Sequence, residues 1–219
     1  MGAYLKIPAV VGLVAAMACG ATIAWRLDAF ASAPDATELN AESAPFEIIV
    51  DRKGNAIEVF VAADTATLKS AYSAVPPGLL DDNGLVNTSV FRNVSADVGD
   101  WIAEHWSVEV AGESVEIEAM AVMVHPSGDY LPFDHPLSAY TAISVCSVPE
   151  DAPAIRPEDT RTYAGFIIYP VEADADIRFD LNPQGDGANA VRLAEFRDWE
   201  PIGAPRIIAS GGDLRLPGR

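Results

Sequence analysis

Lysine is nearly missing from this 219-residue chain. Past residue 33 only Lys53 and Lys69 occur. The whole sequence holds 32 acidic and 14 basic residues; without Lys6, Arg26 and Asp28 it holds 31 and 12, a net charge of −19. A surface so negative repels nucleic acid and anionic lipid headgroups, so no DNA or RNA partner is expected. It suits a salty medium, a basic partner, or a compositional bias toward acids and toward Arg over Lys. Cysteine is as scarce: Cys19 and Cys146 are the full set. That excludes a disulfide-stapled fold, a zinc framework, c-type haem attachment and a Cys-x-x-Cys redox site. Three histidines, His105, His125 and His135, leave few general bases. There is no Gly-x-Ser-x-Gly elbow, no His-Glu-x-x-His, no phosphate-cradling glycine loop and no dinucleotide fingerprint. A non-catalytic protein is the expectation.

What is present begins with "IPAVVGLVAAMACGATIAW", residues 7–25, uncharged throughout and bounded by Lys6 and Arg26. That length is about enough to cross a hydrocarbon core as a helix. A secretory signal has a shorter apolar region of about 7–15 residues before a small-x-small cleavage site. Here the run ends in Trp25-Arg26, an aromatic beside a cation, as suits a helix leaving the bilayer. Three readings stand. A retained anchor is favoured; a cleaved signal is second; acylation at Cys19, behind Ala16-Met17-Ala18, is third. Gly12, Ala16 and Gly20 lie at close-packing spacing and suit a helical partner within the bilayer. The positive-inside tendency weakly favours a cytoplasmic N-terminus, with everything after it outside. The expected setting is a bacterial inner membrane crossed once, with the C-terminal domain in the periplasm.

The organisation read from the sequence is an anchor or signal segment at 1–31, a small polar linker at 32–45, and an extracytoplasmic domain at 46–219. In the domain, "FEIIV" and "AIEVFVA" flank "DRKGN" as a hairpin. "DTATLKSAYSAV" predicts a short helix, and "LLDDNGLVNTS" a turn region. "SADVGDWIAEHW" predicts a second helix capped by Ser95, with Val98, Trp101, Ile102 and His105 on one stripe. "SVEVAGESVEIEAMAVMVH" predicts a hairpin turning at Ala111-Gly112-Glu113. "PLSAYTAISVCSV" reads as a strand that carries Cys146, as do "RTYAGFIIYPVE" and "ADIRFDLN". Short strands between turn signals, with two early helices, predict a mainly β fold: an antiparallel, Ig-like β-sandwich with short helical insertions, behind one transmembrane helix.

Three stretches carry ligand-type residues. His125, Asp129, Asp134 and His135 fall within eleven residues, and imidazole and carboxylate both suit a divalent metal. Met120 and Met123 beside His125 suit copper, or alternatively fill core gaps. "DLNPQGDG" resembles the opening of a calcium loop, with oxygens at Asp180, Asn182, Gln184 and Asp186. Its twelfth place is Val191, where a bidentate glutamate belongs, so a turn between strands is the simpler reading. No cofactor is expected beyond such a divalent metal.

The order of hairpin, helix, "LLDDNGLVNTSVFRNV", helix "DVGDWIAEHW" and strand "SVEVAGES" resembles the extracytoplasmic domain of hydrogenase/urease-accessory-type membrane proteins. The resemblance spans about residues 46–118. It implies a periplasmic β-domain working beside integral membrane partners, and it assigns no functional residue.

Overall fold

In the computed structural model the described residues are 44, 46–72, 76–86, 88–145, 153–169, 171–172, 174–181, 190–208 and 213–218. The anchor positions Gly12, Ala16, Gly20 and Trp25, the acylation candidate Cys19, Cys146, and the loop positions Asn182, Gln184 and Asp186 lie outside them. Among the described residues no helix is long and apolar enough to cross a membrane.

The domain is mainly β. Its strands are β1 (Phe46–Lys53), β2 (Ala56–Asp64), β3 (Ser107–Val110), β4 (Glu113–Val115), β5 (Glu118–Pro126), β6 (Thr160–Ile168), β7 (Ile177–Asp180), β8 (Val191–Arg197), β9 (Glu200–Pro201), β10 (Arg206–Ile208) and β11 (Asp213–Leu216). Its helices are α1 (Thr65–Ala71), α2 (Thr88–His105) and α3 (Pro136–Ser144). A large sheet runs β10-β8-β1-β2-β6-β5, with β9 paired to β8; a small one runs β11-β7-β3-β4.

The hairpins arise where turn chemistry interrupts β-branched runs. Lys53 pairs with Ala56 around Gly54, whose φ of +43° costs glycine little. Val110 pairs with Glu113 around Ala111-Gly112, both at positive φ. Both faces of the large sheet are buried at its centre. One face, with Phe46, Ile48, Val50, Val59, Val61 and Phe166, shares a core with the small sheet's Val108, Ile177, Phe179 and Leu214 and with α1 and α2. The opposite face presents Ile49, Phe60, Tyr163 and Phe196 to Ala139, Ala142 and Ile143 of α3. Two-sided burial explains why β1 and β2 read as continuous apolar runs rather than alternating ones.

Three expectations are corrected. The sheet is not wholly antiparallel: β1 pairs with β8 in parallel, Phe46 opposite Val191 through Arg52 opposite Arg197. "PLSAYTAIS" is helix α3, not a strand. Pro136 stands at its first turn, His135 Nδ1 accepts from Leu137 N, and Ser138 Oγ accepts from His135 N, a capping box that outweighs the strand-like alternation. The second helix starts at Thr88, seven residues before the expected cap at Ser95. Its Val98 and Ile102 are buried, and Gly99 lets it approach β5 closely: a Cβ there would sit 2.8 Å from Ala119 Cβ. Trp101 packs against the core and His105 stacks on it at 3.8 Å, as the stripe predicts.

Candidate functional site

Ionisable groups converge where the β1–β2 hairpin meets α3 and the β8–β9 turn. On β1, alternation sends Asp51 and Lys53 to the α3 face; on β2, Glu58 stands opposite Asp51 in register. Lys53 Nζ lies 2.5 Å from Glu58 Oε2 and 3.4 Å from Asp51 Oδ2. Tyr140 of α3 donates its hydroxyl to Glu58 Oε1 at 2.5 Å. The same ammonium sits over two rings, 4.4 Å from the Trp199 centroid and 5.3 Å from that of Tyr140. Those rings lie nearly parallel, 13° apart in plane at 5.9 Å. The result is a carboxylate and aromatic cage closed around the chain's own lysine.

Trp199 is the hub. Its N–H donates to Asp51 Oδ1 at 3.3 Å, and its carbonyl accepts from His135 Nε2 at 3.1 Å. Asp198 and Trp199 form the two-residue loop between Arg197 and Glu200, and both take positive φ, +49° and +75°. A bulky side chain in this region is a genuine outlier. The hydrogen bond that its N–H donates to Asp51 and the one that its carbonyl accepts from His135 hold it there. Asp198 is exposed, and its N–H donates to Arg52 O at 3.1 Å, a backbone bond that glycine keeps, so Asp198→Gly is expected to raise stability by about 0.5–1 kcal/mol, read as a rise in melting temperature with tryptophan fluorescence unchanged.

Burial sets the chemistry of the cage. Asp51 is fully buried, and burial raises its carboxyl above the usual range, partly countered by the Trp199 N–H and by Lys53. Burial, then the hydrogen bond to and charge of Glu58, push the Tyr140 hydroxyl well above the ordinary phenol range, so it donates a proton and supplies no phenolate. The cage holds the Lys53 ammonium between two carboxylates and two aromatic rings. A second half-buried group lies on the same face, where the Glu47 carboxylate bridges Arg161 and Arg192.

The loop candidates separate. His125 is fully buried on β5, donating from Nε2 to Ala142 O at 2.8 Å, edge-on to Tyr163. His135 caps α3 through one ring nitrogen and meets Trp199 through the other. Asp129 and Asp134 are exposed, and Asp134 accepts from Ser138 Oγ at 3.1 Å. Among the described residues no three or more His, Cys, Asp or Glu groups are placed to hold a metal ion. Met123 is half-buried on β5, and Asp180 lies on β7. Sequence reasoning missed the cage entirely, because its members at 51, 53, 58, 140 and 199 share no local spacing. The two-residue Asp198-Trp199 turn was the one local clue.

Burial lowers the His125 imidazole below its ordinary value, the Ala142 contact opposing. The unfolded chain then binds more protons than the folded one below the unfolded value of about 6.5, so this stability is present above that pH and lost as pH falls through the window beneath it. Melting temperature is expected to fall between pH 7.5 and 5, with a smaller fall in His125→Gln. Equal slopes would remove His125 from the account.

No protein-family profile matches the chain, and no curated protein sequence is significantly similar to it.

Proposed function

We propose that the chain is a membrane-anchored accessory or assembly subunit of a bacterial membrane protein complex, acting by binding rather than by catalysis. The observation that carries this reading is the uncharged run from Ile7 to Trp25, bounded by Lys6 and Arg26 and joined by a small polar linker to a β-domain. Gly12, Ala16 and Gly20 give the anchor a face for a partner helix. The domain then works outside the cytoplasm as an Ig-like two-sheet body. Its conspicuous ionisable clusters support a scaffold role: Lys53 is held between Asp51 and Glu58, and Glu47 between Arg161 and Arg192. The resemblance of residues 46–118 to an extracytoplasmic accessory domain supports the same reading.

Cell fractionation tests it. The full chain is expected in the membrane fraction, resistant to high salt and alkaline carbonate, and released by detergent. Recovery in the soluble periplasmic extract would contradict the anchored reading. It would favour a freely soluble or lipidated binding protein instead.

A further inference from the structure

The outer face of the small sheet carries a hollow unrelated to the cage around Lys53. It is an open hollow of about 420 Å³, lined by Glu109, Gly112, Asp176, Arg178, Arg215 and Pro217, among others. That volume lies within the range of small-molecule sites. A smaller hollow of about 190 Å³ adjoins it, sharing Glu109 and Arg178 and adding Ser107 and Asp180.

Strand register builds the floor. Arg215 of β11 stands directly opposite Arg178 of β7, and Arg178 stands directly opposite Glu109 of β3. The inward neighbours Leu214, Leu216, Ile177, Phe179 and Val108 enter the core, which fixes the charged row outward. Only 12 basic side chains exist beyond residue 33, so placing two of them opposite one another stands out in so acidic a chain. The pair between Arg178 and Glu109 is loose, 3.4 Å long with both side chains about two-fifths exposed. Such surface pairs open at little cost.

The walls are held from below. Arg52 is 1% exposed and donates to Ala175 O at 2.7 Å and to Leu216 O and Pro217 O at 3.4 Å. Ala111 N donates to Asp176 O at 2.9 Å, and Gly218 N donates to Asp176 Oδ1. A buried guanidinium and the β3–β4 turn thus fix both rims before any ligand arrives, which lowers the ordering cost of binding.

We infer that this hollow binds a small zwitterion of the α-amino acid class. The ligand carboxylate bridges Arg178 and Arg215, whose planar forks suit it. The ligand ammonium faces Glu109 and Asp176. The lining carries both signs in equal number, so it selects a ligand that carries both. A plain anion would meet the two carboxylates, and a plain cation the two guanidiniums.

Isothermal titration of the full chain in detergent with each of the twenty amino acids, with acetate and with ethylammonium tests this. At least one amino acid is expected to bind saturably, with acetate and ethylammonium each about tenfold weaker or worse. Arg215→Ala is expected to weaken that binding about tenfold or more, and Arg215→Lys to restore only part of it, because lysine lacks the fork. Arg215 is exposed, so both variants are expected to melt as wild type does. Absence of saturable binding by every amino acid would overturn the inference. So would acetate binding as tightly as the amino acid, or an Arg215→Ala affinity equal to wild type.

Discussion

Replacing Arg52 by alanine is expected to lower the unfolding free energy by about 3–5 kcal/mol. The side chain leaves β1 of the large sheet and ends on the carbonyls of Ala175, Leu216 and Pro217, which flank β7 and β11 of the small sheet. It is therefore a polar tie across the layer between the sheets. Truncation takes a donor from the buried Leu216 and from the less buried Ala175 and Pro217 carbonyls, and a buried oxygen left without a donor costs about 1–3 kcal/mol. It also removes the long apolar stem from a tightly filled interior. Arg52→Lys keeps the charge but carries no fork to reach three carbonyls, so most of the loss is expected to remain. Urea unfolding followed by tryptophan fluorescence reads both. A shift below about 1 kcal/mol in Arg52→Ala would show that the sheets are held by apolar packing alone.

The second large effect is expected at Gly165. This residue lies on β6 directly beneath α3, and a Cβ there would sit 2.6 Å from Ile143 Cδ1 and 3.4 Å from Phe60 Cδ1. The glycine is required by that close approach rather than by its backbone angles. Gly165→Val is expected to cost about 3 kcal/mol, because the interior has no room for the added atoms and α3 must lift from the sheet. Ile143→Ala alone is expected to cost about 2–5 kcal/mol as a cavity. The two faults occupy the same space, so the double variant is expected to be more stable than the sum of the singles by about 1 kcal/mol or more. Additive losses would show that the helix does not press on Gly165.

The pattern of residues made much of the scaffold legible and very little of the sites. The β1–β2 and β3–β4 hairpins announce themselves through Gly54 and Gly112 between β-branched runs, because turn chemistry is local. α3 was hidden because "SAYTAISV" alternates like a strand; its buried set of Pro136, Ala139, Ala142 and Ile143 is helical, but built largely from small residues that carry weak periodicity. Pro136 after a capping His135 was the better signal. The parallel pairing of β1 with β8 joins segments about 145 positions apart, and no local feature encodes it. The same distance problem hides the cage. Lys53 and Trp199 meet only because that parallel ladder carries the β8–β9 turn to the β1–β2 end of the sheet. The loop histidines lie close in sequence, yet the strand and the helix cap give His125 and His135 different hydrogen-bond partners.

Central to the account is a chain that keeps residues 1–31 and works beside other membrane proteins. Intact mass spectrometry of the native protein, extracted in mild detergent with its co-purifying proteins identified, tests this most directly. The account predicts a mass that includes the N-terminal segment, together with integral membrane proteins at fixed stoichiometry. A mass beginning near Ser32, or at an acylated Cys19, with no partner, would contradict it.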